Sequence, residues 1–317
     1  MVKLALFSLL YYSNKSLNQF YVKVPNAASG NSGLWNLKKE ETVGATFTSS
    51  INLRSDDFST AASTIPSATL MANQCSAYDK ISKRYVVSSG ERVIVFNFNT
   101  VSGLPALEFQ FSASNVQAME FSNGRFFGII NNKLNEYNIT SSTPTIPLTS
   151  FTEIPLAVGQ VSNLTQNGNY LSVISGGHLY VIDVTTGTTV LNHILPSTDA
   201  YEGLEAINSA GAPFSLYVVK RNSSGNEFQK IVLSSTLSFT SITTLYTLSF
   251  TNDLSSKIAS ALDYTTEFYY VNSSNGITSD SNSLTVVDLT PTTSSAYIPT
   301  TITTSGNHYL FGLQLKD

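Results

Sequence analysis

The alternation of apolar and polar residues along the chain predicts short β-strands. A template is Phe96-Asn97-Phe98-Asn99, in which large apolar residues alternate with small polar ones. Period-2 alternation of this kind is typical of a strand with one buried face. No apolar pattern with the 3.6-residue period of a helix continues for three turns. The sequence therefore predicts an all-β protein.

Variants of this template recur along the chain and indicate an internal repeat. Their polar positions fall at residues 36, 97, 138, 183, 232 and 288, which gives intervals of 61, 41, 45, 49 and 56 residues. Two further strand-like segments precede each template, and a weaker one follows it, such as LEFQFS at 107–112. Four antiparallel strands in roughly 40–50 residues are the size of one propeller blade. The repeat therefore predicts a β-propeller of four-stranded antiparallel blades.

The number of blades follows from the repeat count and from the way in which the ring closes. Six repeats are complete, and TITTSGNHYLFGLQL at 301–315 is similar to the first two strands of a seventh. Pairing strands from both termini in one blade removes exposed edges. Seven blades are therefore favoured over six. Residues 1–317 are predicted to be a single propeller domain, with an irregular insertion or long loop at about 45–70.

The N-terminal run MVKLALFSLLYY has two interpretations. An apolar run after Lys3 is similar to a signal peptide, but it is short and no A-x-A cleavage pattern follows. The segment LLYYSNKSLNQFYV also parallels ALDYTTEFYYV at 261–271, so a buried strand is preferred to a signal remnant for residues 1–12. No stretch approaches the roughly 18 apolar residues of a membrane helix, so no transmembrane segment is expected.

The segment GGHLYVIDVTTGTTVLNHIL at 176–195 resembles a known class of repeat protein. It is similar to β-propellers of the YncE-like, NHL-like and quinoprotein-like kind, in which YV-type and VIDVTTG-type strands repeat around a ring. The resemblance covers most of the chain and implies a fold, not a reaction. It also implies an extracytoplasmic location, that is, periplasmic, cell-surface or secreted, since propellers of this type are frequent in bacterial envelopes.

The composition narrows the range of partners. Only 12% of the residues are charged, about half the usual fraction, and the polarity comes from Ser, Thr and Asn, as in exported proteins. The formal charge of −4 and the sequence pI of about 5.4 provide no basic surface for nucleic acid. Cys75 is the single cysteine, so neither an intramolecular disulfide nor a thiolate metal cluster is expected.

Five carboxylates and one tyrosine are the candidate ligand-binding residues. They are Asp79, Glu120, Tyr201, Glu202, Glu205 and Asp263. Carboxylates at the ends of inner strands would converge near the axis of the ring and could bind a cation or a basic ligand. The alternative is that each carboxylate accepts hydrogen bonds from the amides of the adjacent turn. The segment STDAYEGLEAIN at 197–208 adds an aromatic ring that could face a sugar or a peptide.

Motifs for metal binding or nucleophilic catalysis are missing from the sequence. His178, His193 and His308 match no zinc spacing such as H-E-x-x-H. No G-x-S-x-G elbow, P-loop or G-x-G-x-x-G stretch occurs. No metal, cofactor or catalytic residue is therefore assigned.

Three functions remain open from the sequence. The first is a non-catalytic propeller that binds another protein, as an accessory or scaffold subunit at a cell envelope or outside the cell. The second is a carbohydrate-binding or adhesion module with Tyr201 and Tyr297 as exposed aromatics. The third is a hydrolase or lyase that uses channel carboxylates such as Glu120 and Glu205. The missing catalytic motifs favour the first.

Overall fold

The computed structural model describes antiparallel β-structure, and the predicted all-β class is confirmed. The described residues are 19–25, 32–40, 50–54, 75–89, 92–97, 106–145, 151, 156, 161–162, 164–207, 214–222, 225–248, 258, 260–263, 267–272, 282–289, 300–304 and 311–315. Within these ranges there are strands, turns and bends and no helix. Accordingly, these ranges contain no helix of the length and apolar character needed to span a membrane.

The described residues form 23 strands. In chain order they are β1 (Gln19–Pro25), β2 (Ser32–Glu40), β3 (Ser50–Arg54), β4 (Ser76–Asp79), β5 (Arg84–Ser89), β6 (Arg92–Asn97), β7 (Ala106–Ser112), β8 (Val116–Ser122), β9 (Arg125–Ile130), β10 (Lys133–Tyr137), β11 (Thr165–Asn167), β12 (Tyr170–Ser175), β13 (His178–Asp183), β14 (Thr188–Ile194), β15 (Tyr201–Ile207), β16 (Phe214–Lys220), β17 (Asn226–Leu233), β18 (Phe239–Leu248), β19 (Ser260–Asp263), β20 (Phe268–Asn272), β21 (Asn282–Asp288), β22 (Thr300–Thr304) and β23 (Phe311–Leu315).

These strands form six antiparallel sheets. They are sheet 1 (β23-β1-β2-β3), sheet 2 (β4-β5-β6-β7), sheet 3 (β8-β9-β10), sheet 4 (β11-β12-β13-β14), sheet 5 (β15-β16-β17-β18) and sheet 6 (β19-β20-β21-β22). Their innermost strands contact one another in the closed order β23, β4, β8, β11, β15, β19 and back to β23. A closed ring of radially arranged antiparallel sheets is a β-propeller, as the repeat predicted.

The predicted preference for seven four-stranded blades is wrong. Six such blades are not supported either, because the described residues form five four-stranded blades and the three-stranded sheet 3. The segment at 301–315 begins no further blade, since β22 is the outer strand of sheet 6 and β23 is the inner strand of sheet 1. The prediction that strands from both ends of the chain close one blade is confirmed by the pairing of β23 with β1.

Two further predictions concern segments that lie largely outside the described residues. Residues 1–18 are among them, so the choice between a strand and a signal remnant stays open. Of the insertion predicted at about 45–70, the structure describes only β3, which is the outer strand of sheet 1. The insertion and the single-domain organisation stay predictions.

The burial of the strands explains why long apolar runs occur in the middle of each repeat. Four consecutive residues are buried in β13, and β6 has the same pattern. Because each sheet packs against neighbours on both faces, a central strand has no solvent face. The outer strand β14 instead alternates exposed and half-buried residues. The sequence predicted that the third strand of each repeat alternates between buried and exposed residues. In sheet 4 the outer strand β14 shows the alternation instead.

In three repeats the polar position of the template is the last residue of the third strand. Asn97, Asp183 and Asp288 are the last residues of β6, β13 and β21. In sheet 4, Oδ1 of Asp183 accepts hydrogen bonds from the backbone N–H of Thr185 at 2.8 Å and from its hydroxyl at 2.6 Å. Short acidic side chains close turns in this way. In sheet 4 the polar position of the template therefore closes the turn after the third strand.

Candidate functional site

The inner strands bring two of the predicted carboxylates close together. Glu120 lies on β8 and Glu205 on β15, with only the inner strand β11 between them in the ring. Oε1 of Glu205 accepts a hydrogen bond from the hydroxyl of Ser260 at 2.7 Å. Oε1 of Glu120 accepts one from the backbone N–H of Phe121 at 2.8 Å. We call Glu120 and Glu205 the axial pair.

The surroundings of the axial pair favour the protonated carboxyl. Burial raises the pKa of Glu205 to about 7, although the hydrogen bond from Ser260 acts in the opposite direction. Burial also raises the pKa of Glu120 well above its ordinary value, and the negative charge of Glu205 raises it further. Two nearby carboxylates with little solvent around them cannot both ionise without cost. The axial pair can therefore hold and release a proton near neutral pH.

A β-bulge in β15 determines how this strand meets sheet 6. The register against β16 shifts between Glu202 and Glu205, and Gly203 between them has a φ of 63°. The hydroxyl of Tyr269 donates to the carbonyl of Gly203 at 2.5 Å. A Cβ atom on Gly203 would lie 2.5 Å from that hydroxyl. Only glycine permits both the backbone conformation and this close approach.

Glu202 is part of a structural ion pair. Its Oε2 accepts hydrogen bonds from Nη2 of Arg221 at 2.9 Å and from the backbone N–H of Ile258 at 2.6 Å. The Arg221 side chain is only 3% exposed. A buried guanidinium needs a negative partner, so the carboxylate of Glu202 compensates its charge and joins sheet 5 to the segment before β19. Arg221 was not predicted, because nothing local in the sequence indicates its burial.

Asp79 and Asp263 end the inner strands β4 and β19, as predicted. The buried carboxylate of Asp79 accepts hydrogen bonds from the backbone N–H groups of Ile81 and Ser82, each at 3.0 Å. The alternative role of turn stabilisation is therefore the observed one for Asp79. The side chain of Asp263 lies outside the part of the chain that the structure describes.

Tyr201, a candidate for facing a ligand, is a core residue in the structure. The residue is 4% exposed because it packs in the core between sheets 4 and 5. Burial, together with the negative charges of Asp199 and Glu227, raises the pKa of its phenol to about 12. In this arrangement the ring has no free face for a sugar.

The histidines and the acidic groups form no metal site in the described ranges. No three His, Cys, Asp or Glu side chains there are grouped so that they could hold a metal ion. Nδ1 of His178 hydrogen-bonds Oδ1 of Asn192 at 2.9 Å, and His193 stacks on Phe239 with ring centroids 3.8 Å apart. His308 lies outside the described residues.

A cleft of about 250 Å³ lies between sheets 2 and 3 and was not predicted. Its lining includes Ser82, Arg84, Arg125, Glu136 and Tyr137. Two of these are arginines that open the second strands β5 and β9, so they occupy the same position in consecutive repeats. This recurrence, visible in KRYVVS and GRFFGII, is the sequence signal that could have indicated the cleft.

Comparisons with known proteins support the fold. No family model matches the chain, and no curated protein is similar to it in sequence. The periplasmic gluconolactonase PpgL of Pseudomonas aeruginosa matches with a TM-score of 0.55 and 12% identity, over 95% of this chain and 99% of PpgL. A functionally unknown protein of Desulfotomaculum acetoxidans matches with a TM-score of 0.50 and 10% identity, over 92% and 99%.

A third similarity covers only part of a larger chain. The N-terminal domain of Nup159 matches with a TM-score of 0.39 and 14% identity over 75% of this chain, and the chain spans 62% of that domain. At 12% and 10% identity, the similarities to PpgL and to the Desulfotomaculum acetoxidans protein concern the fold alone. The chain is thus a protein with the β-propeller fold.

Proposed function

We propose that the chain is a non-catalytic β-propeller of the YncE-like, NHL-like or quinoprotein-like type that binds another protein. It would act as an accessory or scaffold subunit at a cell envelope or outside the cell. The observation that carries the proposal is the exposure of large apolar side chains on the outer surface. Ile81 is 74% exposed in the turn after β4, and Ile194 and Val190 are 70% and 44% exposed on β14.

These exposed side chains suit a docking surface. Ile194 and Val190 are both exposed on one strand, β14. Their strand is the outer edge of a sheet, where backbone groups remain open to a partner. Apolar side chains on a rigid scaffold favour association with another protein. Asp79 and Glu202 support a non-catalytic role, because both are engaged in contacts that hold the fold.

The composition and one structural neighbour support the proposed location outside the cytoplasm. The low charge and the polarity from Ser, Thr and Asn are typical of exported proteins. PpgL, which is a periplasmic protein, has the same fold.

Purification of the full chain from its native source tests the proposal. We expect a partner in constant stoichiometry, and we expect Ile194→Asp to reduce its recovery at least about tenfold if Ile194 is an interface anchor. Thr188→Asp is the matched control, because it places the same charge on the exposed face of β14 without removing an apolar side chain. A strictly monomeric protein with no co-purifying subunit would contradict the proposal.

The axial pair supports a second candidate, a propeller hydrolase or lyase. General acid–base catalysis needs a group that exchanges its proton near neutral pH, which Glu205 provides. Gluconolactone is the first substrate to assay, because PpgL is described as a gluconolactonase. Under this candidate Glu205→Gln abolishes turnover with the fold intact, whereas the exposed Glu267→Gln does not. The carbohydrate-binding function loses its main support because Tyr201 is buried.

A further inference from the structure

Two arginines at the same position of consecutive repeats each bind a glutamate of their own sheet through two nitrogens. Arg125 at the start of β9 uses Nε and Nη2 to bind the carboxylate of Glu136 on β10, at 2.9 and 2.5 Å. Arg84 at the start of β5 uses the same two nitrogens to bind the carboxylate of Glu108 on β7. In both sheets the third nitrogen, Nη1, is left for another acceptor.

The two arginines differ in what Nη1 contacts. Nη1 of Arg125 donates to the carbonyl of Val184 at 3.0 Å, which joins sheet 3 to sheet 4. Val184 follows the last residue of β13, and its counterpart in sheet 3 is Ile139, two residues after β10. Nη1 of Arg84 makes no hydrogen bond to Ile139 or to any other described residue. Instead, the cleft separates sheets 2 and 3, and both Arg84 and Ile139 line it.

The cleft contains a second donor without an acceptor. The hydroxyl oxygen of Ser82 is buried and has no hydrogen-bond partner among the described residues. The backbone N–H of Ser82 is already bound to Asp79, so the hydroxyl is the group of this residue that remains for a ligand. A buried donor without a partner costs free energy, which a bound acceptor would recover. Arg84 and Ser82 thus line the same cleft, and each has a donor that no described residue accepts.

The turn that carries Ser82 places two basic residues and one apolar side chain near these donors. Lys80 and Lys83 are exposed in the turn that carries Ser82, whereas the whole chain has a formal charge of −4. Tyr137 contributes a half-buried ring to the lining. Ile81 is 74% exposed in the same turn. An anionic group beside an apolar side chain would complement this surface.

The geometry points to the cleft between sheets 2 and 3 as a carboxylate-binding site that takes an acidic side chain of a partner protein. This rests on the proposed function, because it assigns a place and a chemistry to the partner. A carboxylate only accepts hydrogen bonds and has oxygen lone pairs for several donors, so it matches Nη1 of Arg84 and the Ser82 hydroxyl together. The neighbouring residue of the partner would pack its apolar side chain on Ile81.

Selection of phage-displayed random 12-residue peptides on the purified full chain tests this inference. We expect the selected peptides to carry Asp or Glu next to a large apolar residue. Each is then synthesised in two forms, with the acid and with the corresponding amide, and titrated by fluorescence anisotropy. The amide form is expected to bind at least about tenfold more weakly, since hydrogen bonds to charged groups are the stronger ones.

Three variants locate the binding. Arg84→Lys retains the positive charge but loses the Nη1 donors, and we expect about tenfold weaker binding of the acidic peptides. Ser82→Ala removes only the hydroxyl, and about threefold to tenfold weaker binding is expected. Arg92→Lys is the matched control, because Arg92 lies at the opposite end of sheet 2 and donates to Gln110. Its affinity should be unchanged, and thermal melts check that all three variants fold.

Several outcomes would overturn the inference. Selected peptides without acidic residues, no selected peptides, or equal binding by Arg84→Lys and Arg92→Lys would each exclude the cleft. If acetate displaced the peptide with an inhibition constant as low as the dissociation constant of the peptide, the cleft would be a site for a small free carboxylate instead of a protein. A native partner that binds Arg84→Lys as tightly as the unchanged chain would refute the cleft but leave the proposed function intact, whereas the lack of any native partner would refute the proposed function.

Discussion

Residue 203 is a position where the backbone and a neighbouring side chain both require glycine. Gly203 has a φ of 63°, and the Tyr269 hydroxyl occupies the space of a Cβ atom. Tyr269 is fully buried, so its ring cannot move aside cheaply. The bulge at this residue also ends the regular alternation of β15 and sets the directions in which Glu202 and Glu205 leave the strand.

We expect Gly203→Ala to destabilise the protein by about 3–5 kcal/mol, the sum of left-handed backbone strain and steric overlap in a packed core. Gly168→Ala is the matched control, since Gly168 has a φ of 58° but nothing within 4 Å of a Cβ atom. It should cost only about 1 kcal/mol, from strain alone. Urea unfolding of both variants measures the difference, and equal losses would show that the contact with Tyr269 is unimportant.

The raised pKa of Glu205 makes stability depend on pH. Because its pKa is about 7 in the folded protein and 4.5 ordinarily, the folded state binds the proton more tightly than the unfolded state. The free energy of unfolding should therefore fall as the pH rises from about 4.5 to 7, by up to about 3 kcal/mol, and level off above this range.

Substitution of Glu205 tests this pH dependence. The glutamine side chain of the Glu205→Gln variant cannot ionise. We therefore expect its free energy of unfolding to depend less on pH, and to exceed that of the unchanged chain at pH 8. Glu267→Gln at an exposed position should leave the profile as it is. Chemical denaturation at a series of pH values gives the slopes, and the same slope for Glu205→Gln and the unchanged chain would show that another group titrates.

At the scale of the element, the position of a strand within its sheet determines its tolerance to substitution. Val181 in the central strand β13 is fully buried, whereas Val190 in the outer strand β14 is 44% exposed. Both are valines in sheet 4, so one substitution can compare the two environments.

We expect Val181→Thr to cost about 1–3 kcal/mol, because it places a hydroxyl in the core between two sheets. Val190→Thr should change the free energy of unfolding by less than about 0.5 kcal/mol, as is usual on a surface. Guanidinium unfolding of both variants provides the comparison. Similar losses at the two positions would contradict the assignment of β14 as an outer strand.

At the scale of the whole molecule, β23 joins the two ends of the chain. It pairs with β1 and contacts the inner strands β4 and β19, so it completes both sheet 1 and the ring. Without it, the edge of β1 and the apolar surfaces of two neighbouring sheets would be exposed.

We expect deletion of residues 311–317 to abolish cooperative thermal unfolding or to lower the melting temperature by more than about 10 °C, since an entire strand and its packing are lost. Deletion of residues 316–317, which follow β23, is the control and should have little effect. Circular dichroism melts and size-exclusion chromatography report both results. An intact, monomeric and cooperative protein after the longer deletion would show that the ring does not need this strand.

The sequence by itself determined the strands, the repeat and the propeller fold, because these depend on local apolar patterns and turn residues. It also indicated closure by both termini. The order YVVS, then the run that ends in Phe96 and Asn97 of the template, then LEFQFS corresponds to β5, β6 and β7. The number of blades was misjudged because the segment 301–315 has the pattern of two new strands, and only pairing assigns them to sheets 6 and 1.

Only the tertiary structure decided what each polar side chain does. Glu202 and Arg221 are joined across neighbouring strands, Glu205 meets Ser260 from the next sheet, and Arg84 borders a cleft whereas its counterpart Arg125 bonds the next sheet through Val184. These contacts depend on how strands and sheets pack around the axis, and residues from 19 to 59 positions apart carry no local pattern that records it. The fold follows from short-range periodicity, whereas the chemistry of the site follows from long-range packing.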